Sequence, residues 1–289
     1  MAADPAAPRS ERVWRCRDHS LPVFERVHVM GILNVTPDSF SDGGRFFGPE
    51  EALKRGLELA AAGADIVDVG GESTRPGAEP VPEAVELERV VPVIRALAAE
   101  TSVPISVDTT KASVAEAGID VGAVVVNDVS AMRLDPRMSD VVAGSGAGLV
   151  LMHMLGAPRT MQDDPRYRDV VTDVREALLA WAGSAEAAGI ERERIAIDPG
   201  IGFGKTREHN LTLIRRLDAF SSLGYPLLLG PSRKSFIGST LGTGVDERLE
   251  GTAAVVAWAV EHGAHVVRVH DVREMARVVR MVEAIRAAD

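Results

Sequence analysis

Eight short apolar segments of this 289-residue chain end in, or lead directly into, polar or charged residues that could carry chemistry. These residues are Asn34, Asp68, Asp108, Asn127, His153, Asp198, Lys234, Arg268 and His270. The opposite ends of most segments are bland, with residues such as Ala64, Pro104 and Gly122. Polar groups with no shared role would fall about equally at both ends. The asymmetry therefore predicts one functional face at which all eight segments end.

Cationic or imidazole side chains end or follow the second, seventh and eighth segments. They are Arg75, Lys234, Arg268 and His270. Arg268 and His270 alternate along one segment, so in a strand both side chains face the same side. Arginine can hold a phosphate through two parallel hydrogen bonds. This group therefore predicts a site for a phosphate-like anion.

The acids and amides of the set lie on other segments. Asp108, Asn127 and Asp198 end the third, fourth and sixth segments. Two carboxylates and an amide in a dry pocket suit a planar ligand that is rich in N–H donors and ring nitrogens. The sequence therefore predicts a heterocycle site beside an anion site.

The elements that position these residues are predicted to be parallel strands and helices. The segments are mostly apolar rather than alternating, as in strands buried on both faces, and cover 27–34, 64–70, 104–108, 122–127, 147–153, 194–198, 226–230 and 264–270. Helical spacing is found at 51–63, 82–100, 111–118, 136–144, 167–189, 208–219, 247–263 and 271–287. Eight alternations predict an α/β fold, a (β/α)8 TIM barrel with its active site at the carboxyl ends of the strands. No linker is evident, so we expect a single domain at 21–289 after a flexible N-terminal arm at 1–20.

Composition narrows the function classes. The net charge of −10 argues against non-specific nucleic-acid binding, and no apolar run reaches the ~20 residues of a membrane span. The first twenty residues lack the apolar stretch of a signal peptide. The only cysteine, Cys16, points to a reducing compartment. A cytoplasmic protein with small-molecule partners is expected.

Several other kinds of site are disfavoured. PGIGFGKT at 199–206 looks like a phosphate-binding P-loop but has Pro199 where the first glycine is required. The seven histidines show no paired spacing for a metal cage. A Schiff-base role for Lys234 needs an apolar pocket and is a minor alternative. His153 is equally compatible with a buried structural role and with the pocket wall.

Two long motifs identify a resemblance. MGILNVTPDSFSDGG at 30–44 and GADIVDVGGESTRPGA at 63–78 resemble the signatures of the dihydropteroate synthase family. SVDTTK, NDVSA, LMHM, IDPGIGFGK, GPSRKSFIG and RVHDV follow in that family's order. The resemblance covers roughly residues 28–289.

The resemblance implies roles for individual residues. Asn34 resembles the ligand that holds Mg²⁺ against a diphosphate, Arg268 and His270 resemble the diphosphate anchors, and Arg75 resembles a closing cation. The pterin contacts are implied to be Asp108, Asn127, Asp198 and Lys234. The p-aminobenzoate surroundings are implied to be Thr74, Phe40 and Ser235. Asp198, Lys234 and Asp108 are the implied catalytic residues, and the family tends to form homodimers.

The implied reaction joins a dihydropterin-methyl diphosphate to p-aminobenzoate. Loss of diphosphate would leave a cation that the carboxylates stabilise, and the arylamine would then attack. No protein nucleophile is needed, which agrees with the lack of a Ser–His or Cys–His pair. The Gly-, Ser- and Pro-rich loops after the first two strands are expected to fold over the substrates and exclude water.

Three alternatives share parts of this pattern. A pterin-binding methyltransferase domain would lack the first-loop and STRPG motifs. An inactive paralogue would be expected to have damaged motifs. A pterin-binding protein without turnover would bind the diphosphate and release none of it.

Overall fold

The computed structural model describes residues 13–36, 49–75, 77–157 and 159–288. The strands are β1 (Trp14–Cys16), β2 (His19–Leu21), β3 (His28–Asn34), β4 (Ile66–Gly70), β5 (Ile105–Asp108), β6 (Val125–Asp128), β7 (Gly148–Met152), β8 (Ile195–Asp198), β9 (Leu228–Leu229) and β10 (Val266–Val269). The helices are α1 (Pro49–Ala61), α2 (Glu83–Glu100), α3 (Ala112–Asp120), α4 (Met138–Ser145), α5 (Val170–Ala187), α6 (Arg207–Arg215), α7 (Asp218–Ser221), α8 (Ser235–Leu241), α9 (Leu249–Glu261) and α10 (Val272–Arg286). No helix in these ranges is both long and apolar enough to cross a membrane.

The eight strands from β3 to β10 form one parallel sheet that closes on itself. Strands β3 to β8 pair in sequence order, and β10 pairs with both β3 and β9. The remaining gap is bridged between Ile197 of β8 and Leu227, where Ile197 N donates to Pro226 O at 2.9 Å. Helices alternate with the strands, so the predicted (β/α)8 barrel is confirmed.

The two faces of each strand belong to different layers of the core. In β4, Val67 and Val69 pack with the helix side chains, whereas Ile66 packs with the residues that fill the barrel interior. Strand period two then places Asp68 on the interior face, one level above Ile66. In β6, the same two-residue period places Asn127 on the interior face, one level above Val125. The barrel interior thus changes from apolar to polar toward the carboxyl ends of the strands.

The amino-terminal end of the barrel is closed by a β-hairpin. Strands β1 and β2 pair antiparallel, and Trp14 and Cys16 are fully buried against the interior cluster. Trp14 Nε1 donates to Arg194 O at 2.9 Å. The prediction of a flexible arm at 1–20 is therefore wrong for residues 13–20, because the hairpin gains its stability by burying apolar surface under the barrel. Residues 1–12 lie outside the described ranges.

Candidate active site

The polar interior layer is built by the alternation of strands β4, β5, β6, β8 and β10. It consists of Asp68, Asp108, Asn127, Asp198 and Arg268, and all but Arg268 are buried. The pairing of β5 with β6 sets Asp108 opposite Asn127, so these side chains share one level of the barrel. Four of these five residues were assigned a binding role from the sequence; Asp68 was placed on the functional face without a role.

Arg268 connects the carboxylates of this layer. Its Nε donates to Asp68 Oδ2 at 2.6 Å, and its Nη2 donates to Asp108 Oδ2 at 2.6 Å. Asn127 Nδ2 donates to the same oxygen of Asp68 at 2.9 Å. Asp68 therefore holds one predicted anion-binding residue and one predicted heterocycle-binding residue in a common network.

Two carboxylate oxygens of the network accept no hydrogen bond from the described residues. Asp68 Oδ1 and Asp108 Oδ1 are buried and have no hydrogen-bond partner among the described residues. Burial raises the pKa of Asp108 to about 7, and the Arg268 cation opposes this shift. Buried acceptors without partners are rare in folded proteins and point to a missing donor. A ligand with N–H groups would supply one.

Asp198 at the end of β8 and Lys234 just before α8 form a second charged group. Asp198 Oδ1 accepts a hydrogen bond from Gly200 N at 2.7 Å, and burial raises the pKa of this carboxyl while Lys234 opposes the shift. Lys234 Nζ donates to Ile201 O and lies 4.7 Å from the centre of the Phe203 ring. Burial lowers the pKa of Lys234 to about 8 against the effect of Asp198. Opposite charges are thus held beside an aromatic face, which suits a planar ligand.

The predicted anion site lies where β10 ends. His270 follows β10, and its backbone N and ring Nδ1 lie 3.1 Å and 3.0 Å from Ser232 Oγ. Burial lowers the pKa of His270 to about 3, and the cations Arg268 and Arg233 lower it further. Arg75, in the loop after β4, lowers this pKa in the same sense. The structure thus gathers four cationic or imidazole side chains at one corner.

The remaining predicted residues lie around the barrel mouth. Asn34 ends β3 and is partly buried, and Ser235 is the exposed first residue of α8. Thr74 is partly buried in the loop after β4 and lines, with Asp108, a cavity of about 250 Å³. Phe40 falls in 37–48, outside the described residues, as does most of the loop after β3 that was predicted to fold over the substrates.

The surroundings of His153 are those of a buried structural residue. It is buried, and its ring stacks on Trp181 with a centroid separation of 5.5 Å. Lys205 Nζ lies 3.0 Å from His153 Nδ1 and donates to Phe203 O at 2.9 Å. Lys205 is itself buried and was not predicted as a site residue. This cluster supports the loop after β8 that follows Asp198.

Lys111 fastens the loop after β4 to the barrel. Its Nζ donates to Glu72 of that loop and to Glu86 of α2, whose side chain is only 1% exposed. Arg89 Nη1 also donates to Gly71 O at 2.8 Å. The loop that carries Thr74 is therefore tied down at its first residues.

Replacing Lys111 with methionine is expected to lower the free energy of unfolding by ~3–5 kcal/mol, because it leaves the buried Glu86 carboxylate without its cation. Urea denaturation monitored by circular dichroism measures the change. Adding Glu86→Gln to Lys111→Met is expected to restore a large share of the loss. A loss below about 1 kcal/mol in the single variant, the usual range of an exposed ion pair, would contradict the assignment.

Comparison with known proteins agrees with this geometry. The family model described as "Pterin binding enzyme" matches residues 30–270, which defines the chain as a (β/α)8 barrel of the pterin-binding class. Dihydropteroate synthase from Synechocystis is 47% identical over 262 residues, which are 90% of this chain and 91% of that protein. The Mycobacterium leprae dihydropteroate synthase is 48% identical over 89% of this chain and 93% of its own length. The chain belongs to the dihydropteroate synthase family.

Solved structures give the same result. Xanthomonas albilineans dihydropteroate synthase with 4-aminobenzoic acid superposes with a TM-score of 0.90 at 44% identity and covers 96% of this chain and 100% of its own. Burkholderia cenocepacia dihydropteroate synthase complexed with 7,8-dihydropteroate gives 0.87 at 43% identity, with 96% and 97% covered. The Yersinia pestis enzyme with a sulfonamide drug complex gives 0.90 at 42% identity, with 94% and 98% covered.

Proposed function

We propose that the chain condenses 7,8-dihydropterin-6-ylmethyl diphosphate with p-aminobenzoate to give 7,8-dihydropteroate and diphosphate. The observation that carries the proposal is the two-part site, in which Arg268 joins the buried carboxylate layer of Asp68 and Asp108 to the corner at His270. The bound ligands named for the related structures support the same substrates.

The reaction needs binding and electrostatics rather than a protein nucleophile. The bond between the methylene carbon and the diphosphate oxygen breaks, and its electron pair leaves with the diphosphate. The carboxylates of Asp108 and Asp198 accept hydrogen bonds from the pterin and stabilise the positive charge that spreads from the methylene into the ring. The arylamine nitrogen of p-aminobenzoate then bonds to the methylene and loses a proton. Arg268, His270 and Arg75 hold the leaving diphosphate.

The described residues fit Mg²⁺ only as an ion shared with the substrate. They contain no group of three or more His, Cys, Asp or Glu side chains able to hold a metal. Asn34 offers an amide oxygen at the end of β3, and Mg²⁺ in phosphate chemistry commonly takes one or two protein ligands with phosphate oxygens and water. Bound there, the ion would neutralise charge that develops on the departing diphosphate.

Calorimetry with inorganic diphosphate tests the Mg²⁺ proposal without requiring turnover. Binding is expected to be tighter with Mg²⁺ than in EDTA, and Asn34→Ala is expected to lose about tenfold of the Mg²⁺-dependent affinity, or ~1.4 kcal/mol. Its affinity in EDTA should stay unchanged. Equal losses with and without Mg²⁺ would contradict a metal-directed role for Asn34.

Diphosphate release by the purified protein tests the proposed reaction. With the pterin diphosphate and Mg²⁺ present, release is expected to depend on p-aminobenzoate and to match the dihydropteroate formed. Tight pterin binding without product would instead support the pterin-binding protein or the inactive paralogue. No observation in the described residues favours either alternative.

We also propose that the chain forms a homodimer through α9 and α10. These adjoining helices expose large apolar side chains: Trp258 (44%), Met281 (60%) and Ile285 (62%). Large exposed apolar side chains on neighbouring helices are candidates for a subunit interface. Analytical ultracentrifugation is expected to give a dimer that Met281→Glu weakens, and a monomeric wild-type protein would overturn the proposal.

We also propose a cytoplasmic location. The one cysteine, Cys16, is buried as a free thiol, and burial raises its pKa, so disulfide chemistry plays no part in holding the described fold together. Cell fractionation tests the location, and recovery in the membrane or secreted fraction would contradict it.

A further inference from the structure

One hydroxyl oxygen contacts two nitrogens of the same histidine at the anion corner. Ser232 lies in the loop after β9 and is 6% exposed. Its Oγ is 3.1 Å from the backbone N of His270 and 3.0 Å from the ring Nδ1. Both distances are those of ordinary hydrogen bonds. Ser232 is thus the described partner of the ring at Nδ1, and it leaves Nε2 for a ligand.

The protons available on these groups determine the direction of each hydrogen bond. A serine hydroxyl has one proton to donate and two lone pairs to accept with. The backbone N–H of His270 can only donate, so Ser232 Oγ accepts there. Within the described residues Nδ1 is the only other group bonded to Oγ, and it must accept if the hydroxyl proton is to be used. The opposite tautomer would leave that proton without an acceptor in a nearly buried position, which is unfavourable.

The neighbouring residue holds Ser232 in place. Arg233 has a backbone φ of 56°, an uncommon conformation for a residue with a side chain. Its guanidinium donates to Asp271 Oδ2 at 2.9 Å and Oδ1 at 2.5 Å, and its backbone N donates to Thr252 Oγ1 at 3.1 Å. Asp271 is the residue after His270. The loop and the end of the strand are therefore tied together directly beside the Ser232–His270 contact.

We propose that Ser232 is a positioning residue that fixes His270 as the Nε2–H tautomer, so that the ring donates a hydrogen bond to the diphosphate of the pterin substrate. The inference rests on the proposed function for the identity of that ligand. His270 is held neutral by burial and by the nearby cations, so only one ring nitrogen carries a proton. The wrong tautomer would turn a lone pair toward the anion. The tautomer therefore decides whether the ring attracts or repels the leaving group.

Nitrogen-15 NMR of the histidine ring tests the tautomer directly. In protein labelled at histidine, the His270 signals are assigned by their loss in His270→Gln. The wild-type ring is expected to show a protonated Nε2 and an unprotonated Nδ1. A wild-type ring protonated at Nδ1 would overturn the proposal, and the only variant this measurement requires is His270→Gln, which serves for the assignment.

Variants of Ser232 connect the tautomer to anion binding. Ser232→Ala is expected to introduce the Nδ1–H form and to weaken binding of inorganic diphosphate about tenfold, whereas Ser232→Thr keeps the hydroxyl and should preserve both properties. An unchanged spectrum and an unchanged Kd in a folded Ser232→Ala protein would refute the role. Neither readout needs turnover, so a protein that fails to make dihydropteroate can still pass or fail this test.

Discussion

Replacing Lys234 with alanine is expected to lower kcat/KM for the pterin diphosphate by at least about 100-fold. The Lys234 ammonium donates to Ile201 O, lies beside the Phe203 ring and acts on the buried Asp198 carboxylate. A hydrogen bond that involves a charged group contributes ~1.5–3 kcal/mol, and each ~1.4 kcal/mol is a factor of ten in rate. Loss of the lysine also leaves Asp198 without its main opposing charge. Steady-state kinetics and pterin binding measure the effect.

The matched control is a lysine with no place in the site. Lys54 is exposed on α1, and Lys54→Ala should change kcat/KM by less than twofold. A Lys234→Ala protein with kinetics within about threefold of wild type, on the scale of ~0.7 kcal/mol, would remove this residue from the catalytic group.

The lowered pKa of Lys234 predicts a basic limb in the pH profile of kcat/KM. The folded-state pKa of Lys234 is lowered to about 8, so its cationic fraction falls as the pH rises through that value. kcat/KM is expected to fall over the same interval, because only the charged form supports Asp198. Lys234→Arg keeps its charge at these pH values and should lack this limb, although its activity is lower. A basic limb at the same pH in Lys234→Arg would assign the titration to another group.

The strands were predictable because their surroundings are simple. A parallel barrel strand is buried on both faces, so its sequence is continuously apolar and easy to locate. The predicted bounds of β3, for example, differ from the observed bounds by one residue. The shortest strand of the barrel is β9, where pairing is confined to Leu228 and Leu229 while 226–230 was predicted. Apolar composition locates such a segment, but backbone pairing decides how many residues count as strand.

The N-terminal hairpin shows what composition cannot reveal. β1 and β2 have three residues each, too few for a periodic signal, and the exposed Arg15 lies between the buried Trp14 and Cys16. Their stability comes from the barrel interior, whose residues are far away in the chain. The polar character of the first twenty residues suggested a flexible arm, and tertiary contacts overrode it.

The site was predicted where residues end strands and missed where their role depends on a distant partner. Asp108, Asn127 and Asp198 end strands, so position alone indicated them. Asp68 lies inside β4, and its importance comes from Arg268, which is 200 residues away along the chain. The sequence did contain a signal for Asp68. An aspartate two residues after the interior Ile66 must also face the barrel interior, and a buried carboxylate requires a hydrogen-bond or charge partner.

Ser232 and Phe203 were missed for a related reason. A serine in GPSRKS and a phenylalanine in GIGFGK are common loop residues, and the sequence alone assigns no particular function to either. Only the folded chain brings Ser232 Oγ to the His270 ring and the Phe203 ring to Lys234. Sequence pattern indicates which face is functional, whereas hydrogen-bond partners identify the residues that support the functional groups.

Replacing Asp198 with asparagine should reduce turnover much more than pterin binding. The change keeps the shape and keeps an oxygen that can accept the 2.7 Å hydrogen bond from Gly200 N, but it removes the negative charge. A charge that stabilises the pterin cation acts mainly in the transition state, so kcat should fall by at least about 100-fold, as when a preorganised electrostatic partner is removed. The Kd for the pterin diphosphate should change less than about tenfold, or ~1.4 kcal/mol.

The comparison of kcat with Kd separates this role from simple recognition. If Asp198 only recognised pterin N–H groups, Asp198→Asn would raise Kd and KM and leave kcat near its original value. Asp120→Asn on α3 is a matched control, since Asp120 is exposed and should leave both quantities unchanged.

The double variant Lys234→Ala/Asp198→Asn tests whether the two charges act as a unit. The Lys234 cation stabilises the buried, charged form of the Asp198 carboxylate. Asparagine carries no charge, so in the Asp198→Asn protein this contribution of Lys234 is absent. The combined loss in kcat/KM should therefore be well below the product of the two single losses. Additive losses would mean that Lys234 contacts the substrate independently of Asp198, and the cation would then be stabilised by the carboxylate alone.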